Sequence, residues 1–397
     1  MIDEIIDSKK LSIALIGAIL VCYAWFYPVT QHDFFTYLLP WLRAINGSDG
    51  LEVFATEFSN YTGAYISVLT AVARVGSAWS ELAVIKATAV IGTLAAALGV
   101  ASCARALGWS TVASINSALA YMLLPSVMLN GIAWGQTDAL YAAFVLYSMA
   151  AVLTGRSLTA ALMLAIAVSI KFQAILFAPF LFGILLRTPD KLLLGVASAI
   201  PIYLVANGLY LVAGRPVWDV MLIYVDQAQH FQNLSNNAAN PWLILELFLP
   251  REVFSRHYSN LVWFGIFVSG VASIAFARAA FRIVPTSRDA VILAMLSTLV
   301  LPFLLPKMHD RYFFLAESLI FVSFMMDRRY FIALIPLQLS TVLMYSLYHD
   351  VFGLRELLGL LLTITIGLQM MAITVVLVSL LTIHIRQERT AYSDELD

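Results

Sequence analysis

The chain has 397 residues, of which 61% are hydrophobic and only 12% charged, with a mean hydropathy of +0.87. That charged fraction is about half the usual value for a water-soluble domain, and near-uncharged runs of membrane-spanning length recur, which excludes a soluble globular protein. The formal net charge of −1 offers no basic field for a polyanion, so nucleic acid is excluded as a partner.

The apolar runs predict an all-α, polytopic transmembrane fold of about 12 spans, roughly 10 to 13, in one domain over residues 1–397. The first, "LSIALIGAILVCYAWFYP" (11–28), follows Lys9 and Lys10 as a signal peptide would. It is long for that role and ends in aromatics and Pro28 rather than a small-residue cleavage site, so it reads as an uncleaved span. A long loop (29–81) follows, within which "NYTGAYISVLTAVARV" reads as an amphipathic segment lying along the interface. Six runs come next, at 82–104, 110–130, 138–154, 158–170, 172–186 and 192–212. A second long loop (213–257) separates them from runs at 258–277, 289–305, 312–326, 330–347 and 357–383. The tail 384–397 is expected to be cytoplasmic, and its stretch "QERTAYSDELD" (387–397) disordered.

Orientation follows from the basic residues. With the N-terminus inside, the short inner connections hold Lys9, Lys10, Arg105, Arg156, Arg187, Lys191, Arg278, Arg282, Arg288, Arg328, Arg329, Arg386 and Arg389, out of 23 Lys and Arg in all. The positive-inside rule then places both termini in the cytoplasm and both long loops outside. Five of the six histidines fall on the outer side: His32, His230, His257, His309 and His349. So do the N-x-S/T sequons at Asn46, Asn60 and Asn233. Cys22 and Cys103 lie inside apolar runs and read as small buried hydrophobes rather than a disulfide or metal pair.

Five polar constellations face this outer side. In "QHDFFTYLLPWL" (31–42), Asp33 stands at the membrane boundary, where it serves either as a general base or as a cap for the helix that follows. In "GIAWGQTD" (131–138), Gln136 and Asp138 open a span, as an N-cap or as a site that orients a ligand. Lys171 in "SIKFQ" interrupts two apolar runs; it either snorkels to headgroups or binds phosphate. In "LPKMHDRY" (305–312), Pro306 reads as the first residue of a helix, putting Lys307, Asp310 and Arg311 on one face. With His309 this makes either a phosphate site at a helix N-terminus or a surface ion pair between Asp310 and Arg311. The fifth is the amide-rich loop "YVDQAQHFQNLSNNAANPW" (224–242), suited to a polyhydroxylated ligand. No nucleotide-binding loop, metal-ligand spacing or Ser–His–Asp order occurs, which directs the search for a donor to lipid-linked substrates.

Taken together, "HDFFTYLLPWL", "NYTGAY", "WGQTDALYAAF", "TGRSLTAALMLAIAVSIKFQAILFAPFL", "NAANPW" and "LPKMHDRYFF" resemble the GT-C integral membrane glycosyltransferases. The likeness is to the bacterial branch related to the second mannosyltransferase of GPI-anchor synthesis, and more distantly to the ALG-type transferases. It spans about residues 30 to 315, with "WGQTD" and "LPKMHDRY" the most specific parts. It implies an inverting hexosyltransferase that takes a mannose- or glucose-like sugar from a polyprenyl phosphate. The acceptor is a glycan or a lipid-linked acceptor, and transfer takes place at the extracytoplasmic face. By that match Asp33 is the catalytic base. The family's motif near "MHER" falls on His309, Asp310 and Arg311, with Asp310 in place of Glu, and "NYTGAY" has Gly63 where the family often has Pro.

Lys307, His309, Arg311 and Lys171 are expected to hold the donor phosphate. His32, Gln136, Asp138, Asp310, Asn237 and Asn240 are expected to bind the sugars. No cofactor is called for, a divalent metal is left open, and membrane lipids are the surroundings. The resemblance further implies a bacterial inner membrane, with the active site facing the periplasm or exterior. The alternative is a polytopic transporter or lipid-linked sugar flippase, for which ionisable residues near the bilayer centre, broken helices and an internal repeat are the signature.

Overall fold

The computed structural model describes residues 6–230, 233–286, 288–349 and 354–394. The first helix, α1 (Lys9–Phe26), is capped by Ser8, whose Oγ accepts from the Lys10 amide at 3.2 Å. After it the chain passes Asp33, forms a single π turn (Phe34–Leu38) and enters α2 (Leu39–Asn46). Next come α3 (Gly63–Val75) and α4 (Glu81–Ala106), the latter capped by Ser80. In α3 the buried residues Tyr65, Ile66, Leu69, Val72 and Ala73 recur at helical spacing, so the segment is amphipathic as expected.

The middle of the chain holds α5 (Thr111–Met122), α6 (Asp138–Leu153), α7 (Ser157–Ile170), α8 (Ala178–Leu185) and α9 (Pro189–Ala206). The second long loop is not irregular: it contains α10 (Val217–His230), a two-residue strand β1 (Ser235–Asn236) and α11 (Pro241–Phe248). Then come α12 (Arg251–Arg282), α13 (Arg288–Leu304), strand β2 (Met308–His309), α14 (Phe314–Met326), α15 (Phe331–His349) and α16 (Leu358–Asp394). β1 pairs in parallel with β2, Ser235 against Met308 and Asn236 against His309.

The all-helical class is as expected, and helices make up 82% of the described residues. Among the described residues, six helices (α1, α4, α9, α12, α15 and α16) are long and apolar enough to cross a bilayer, seven if one bent pair counts as a single span. The twelve expected spans are not reached by that measure. With 16 residues α6 reaches about 24 Å, and with 13 residues α14 reaches about 20 Å, against a hydrocarbon core of about 30 Å. The expected span 110–130 is broken: α5 and the helical stretch Pro125–Ala133 meet at 62°, because Pro125 cannot continue a helix through Leu124. The tail expected to be disordered continues α16 as far as Asp394, and 395–397 lie outside the described residues.

The core is built around α6, which is buried on nearly every side, and around α13 and α14. Close approach of α4 to α6 depends on Gly99, where a Cβ would stand 2.7 Å from Leu146 Cβ. The end of α1, the starts of α6 and α14, and the ends of α7 and α13 lie together, so the chain's polar turns gather at one end of the bundle.

Candidate active site

Asp33 is 7% exposed. Its Oδ2 accepts three hydrogen bonds, from Gln136 Nε2 at 2.8 Å, Trp134 Nε1 at 3.1 Å and Arg311 Nη1 at 3.1 Å. Arg311 also lies over the Trp134 ring, 5.5 Å from its centroid, and that ring packs edge-on against Tyr345 at 5.0 Å. The cation and its carboxylate come from positions 278 residues apart in sequence. Two π turns, Phe34–Leu38 and Leu129–Ala133, lie just beyond Asp33 and just before Trp134. Each re-aims a side chain by one residue relative to a regular helix, a distortion concentrated at functional sites.

The opening of the Lys307–Arg311 segment differs from the expected geometry. Residues 306–309 are turn and strand: Lys307 has φ +62°, its amide donates to Leu234 O at 2.6 Å, and β2 bonds to β1. The helical turn begins only at Asp310, with His309 in the cap position, so Pro306 does not start it and Lys307 does not share a face with Arg311. Pairing with the 233–237 loop has overridden the local helix preference. Lys307 instead lies near the Tyr258 ring on α12, 5.9 Å from its centroid.

Asp310 and Arg311 do not form the surface ion pair that was the alternative to a phosphate site. Asp310 Oδ1 accepts the Arg311 amide at 2.8 Å, and the guanidinium goes to Asp33. Burial pushes the Asp310 carboxyl up to about 7, against the pull of the nearby Arg311 charge. Burial, with the Arg311 and Lys171 cations, pushes His309 well below its usual range. Asp310 Oδ2, Arg311 Nε and Tyr141 OH are buried without a hydrogen-bond partner among the described residues. Unsatisfied groups of this kind are rare, and their clustering here marks a place for a polar ligand.

The protonated Asp310 has a consequence for stability. The unfolded carboxyl ionises near pH 4, whereas the folded one keeps its proton to about 7. The folded state therefore binds the extra proton between those values, and this group's contribution to stability falls as pH rises from about 4 to about 7. Asp310→Asn should remove that fall. In thermal unfolding of the detergent-solubilised protein, the variant should gain several degrees on the wild type across the window. Parallel curves would show that Asp310 ionises normally.

Lys171 does not snorkel: it is 6% exposed and ion-paired with Asp138 Oδ1. Tyr61 and Tyr141 flank its ammonium at 5.8 and 5.9 Å. Asp138 Oδ2 accepts from Asn130 Nδ2 at 2.9 Å, so both carboxylate oxygens are engaged within the protein. The pair joins the start of α6 to the end of α7. Lys171→Met leaves Asp138 as an uncompensated buried charge and should destabilise the fold by about 3–5 kcal/mol. Denaturant titration against the Asp138→Asn/Lys171→Met double variant, which removes both charges, should show that most of the loss is recovered.

The remaining expected ligands are dispersed. His32 is exposed and its Nε2 lies 3.1 Å from Thr36 Oγ1. Asn237 is exposed with φ +62°. Asn240 is buried; it caps α11 through the Leu243 amide at 3.3 Å and donates to Pro302 O and Leu305 O. It therefore anchors the amide-rich loop. Phe231 and Gln232 of that loop lie outside the described residues. Among the described residues, no three of His, Cys, Asp and Glu converge as a metal-ion cage.

Residues 52–187 match a family model described as alpha-(1->6)-mannopyranosyltransferase, N-terminal domain. The match covers about a third of the chain and supports a glycosyltransferase that transfers mannose, embedded in a membrane. It takes in Trp134, Gln136, Asp138 and Lys171 but stops short of Asp33 on one side and Arg311 on the other. No curated protein matches the chain.

Two residues of the site lie outside the sequence expectations. Trp134 stands within "WGQTD" yet carries no expected role, although its indole is a direct donor to Asp33. Lys86, inside the apolar run 82–104, donates from Nζ to Val29 O, Ile132 O and Ala133 O, on the stretches leading into Asp33 and Trp134. The available signal was its charge: an ionisable residue within a candidate span is a functional hypothesis by default.

A cavity of about 770 Å³ adjoins this end of the bundle. It runs between the Phe172–Leu185 stretch and α12, lined by Ile175, Pro179, Phe182, Ile266, Ile274 and Leu305 among others, and is almost wholly apolar. Leu305 places its upper end beside the Pro306–Arg311 turn, and Phe182 and Ile274 on its rim are exposed.

Proposed function

We propose that the chain is a GT-C-type inverting mannosyltransferase using a polyprenyl-phosphate sugar at the extracytoplasmic face. The observation that carries this reading is the buried Asp33 carboxylate held against Arg311 by Trp134 and Gln136, next to an apolar groove. An acceptor hydroxyl attacks the anomeric carbon and its proton passes to Asp33. The bond from that carbon to the phosphate oxygen breaks, the electron pair leaves with the polyprenyl phosphate, and the configuration inverts. Arg311 lies beside Asp33 and offers a fork-shaped donor to the phosphate as its charge grows. Lys307 stands at the groove's upper end, suited to the same phosphate, while the prenyl chain occupies the groove. Gln136 is reassigned from sugar binding to holding the base.

A transfer assay with mannosyl and glucosyl polyprenyl phosphates tests the reading, and product stereochemistry tests inversion. The family match favours a transferase over the transporter or flippase alternative. Catalysed movement of lipid-linked sugar across liposomes without transfer would reverse that order. Reporter fusions after Asp49 and after Arg156 test the face: outside for the first, inside for the second.

A further inference from the structure

We propose that Lys86 is the positioning residue for the Asp33 carboxylate, an inference that rests on the reading of Asp33 as the base. Lys86 lies in the second turn of α4, within an otherwise apolar run, and is 2% exposed. Its Nζ donates to Val29 O at 2.6 Å, Ile132 O at 2.6 Å and Ala133 O at 2.8 Å. An ammonium group has three protons, and all three are committed to backbone.

The three carbonyls belong to two segments, one leading into Asp33 and one leading into Trp134. Val29 precedes Asp33 by four residues in the irregular stretch after α1. Ile132 and Ala133 immediately precede Trp134 and lie at the end of the π turn Leu129–Ala133, where the last carbonyls lack partners within the helix. Trp134 Nε1 and Gln136 Nε2 are the two neutral donors to Asp33 Oδ2. One side chain thus ties the segment bearing the carboxylate to the segment bearing the donors that aim it. Charge-assisted bonds to carbonyls are shorter and stronger than neutral ones, which suits a clamp between two non-regular segments.

A merely structural lysine would change the amount of folded protein; a positioning lysine changes turnover per folded molecule. The test uses full-length protein in detergent, with Lys86→Met (apolar, similar length) and Lys86→Gln (two donors kept). Lys86→Met should lower kcat about ten- to a hundredfold, the order expected when a catalytic group is misplaced by about 1 Å, with KM for the donor within about twofold. Lys86→Gln should fall between it and wild type. In an Asp33→Asn background, Lys86→Met should cost almost nothing more, because its effect runs through a carboxylate already lost.

Unchanged kcat per folded molecule, or an equal fold-loss with and without Asp33, overturns the proposal. If Lys86→Met does not fold, Lys86→Gln carries the same split, and wild-type kcat there overturns it. Failure of the base reading shows separately, as near wild-type turnover in the single Asp33→Asn variant, and takes the proposal with it.

Discussion

Asp33→Asn is expected to leave a folded protein that binds its donor and transfers sugar about 10²–10⁴-fold more slowly. The substitution keeps size and keeps one oxygen able to accept from Gln136, Trp134 and Arg311, the three donors that hold the wild-type Oδ2. What it removes is the capacity to take a proton from the acceptor hydroxyl. The loss should therefore appear in kcat, with donor affinity measured on purified protein little changed. Near wild-type turnover would leave Asp33 as the partner of Arg311 and nothing more. Asp138 is a poor substitute base, since Lys171 and Asn130 engage both of its oxygens.

Arg311→Ala should do two things, and the pairing seen in the structure allows them to be separated. If Arg311 holds the donor phosphate as proposed, loss of that charge-assisted contact should weaken binding and slow transfer, each by a share of about 1.5–3 kcal/mol, or roughly ten- to a hundredfold in all. Independently, the variant strands the Asp33 carboxylate in a site that is 7% exposed, which should destabilise the protein by about 3–5 kcal/mol. In Asp33→Asn/Arg311→Ala the stability should largely return while activity does not. Arg311→Lys should restore a point charge beside Asp33 but not the two-pronged donor, recovering stability better than rate. Donor affinity unchanged in folded Arg311→Ala would leave the guanidinium as a structural partner of Asp33 alone.

Much of this was legible from residue order. Each of Asp33, Gln136 and Arg311 was open to recognition, because charge and amide groups at the ends of apolar runs must either be solvated or used. Which of them touch was not legible. Arg311 has a neighbouring carboxylate at Asp310, which left a local pair open beside a phosphate site; the fold instead brings in Asp33 from the other end of the chain. The same applies to Lys171, where pairing with Asp138 depends on α6 lying beside α7. Pro306 misled for a different reason: proline suits the first turn of a helix, but strand pairing with Ser235 and Asn236 captured the following residues. The helical class followed from composition, whereas the span count did not, since apolar run length does not reveal where Pro125 bends the chain by 62°.

The groove between the Phe172–Leu185 stretch and α12 has a further consequence, which concerns how the enzyme experiences its substrate. Its rim residues Phe182 and Ile274 are exposed apolar side chains, suited to face lipid acyl chains. A donor whose tail lies there arrives by lateral diffusion within a two-dimensional fluid and never crosses bulk water. The quantity that sets occupancy is then the mole fraction of donor among the surrounding lipids, not its amount per volume. Adding inert phospholipid or detergent at constant enzyme and donor thins the substrate at the surface and slows the reaction, while concentrating the whole suspension changes little.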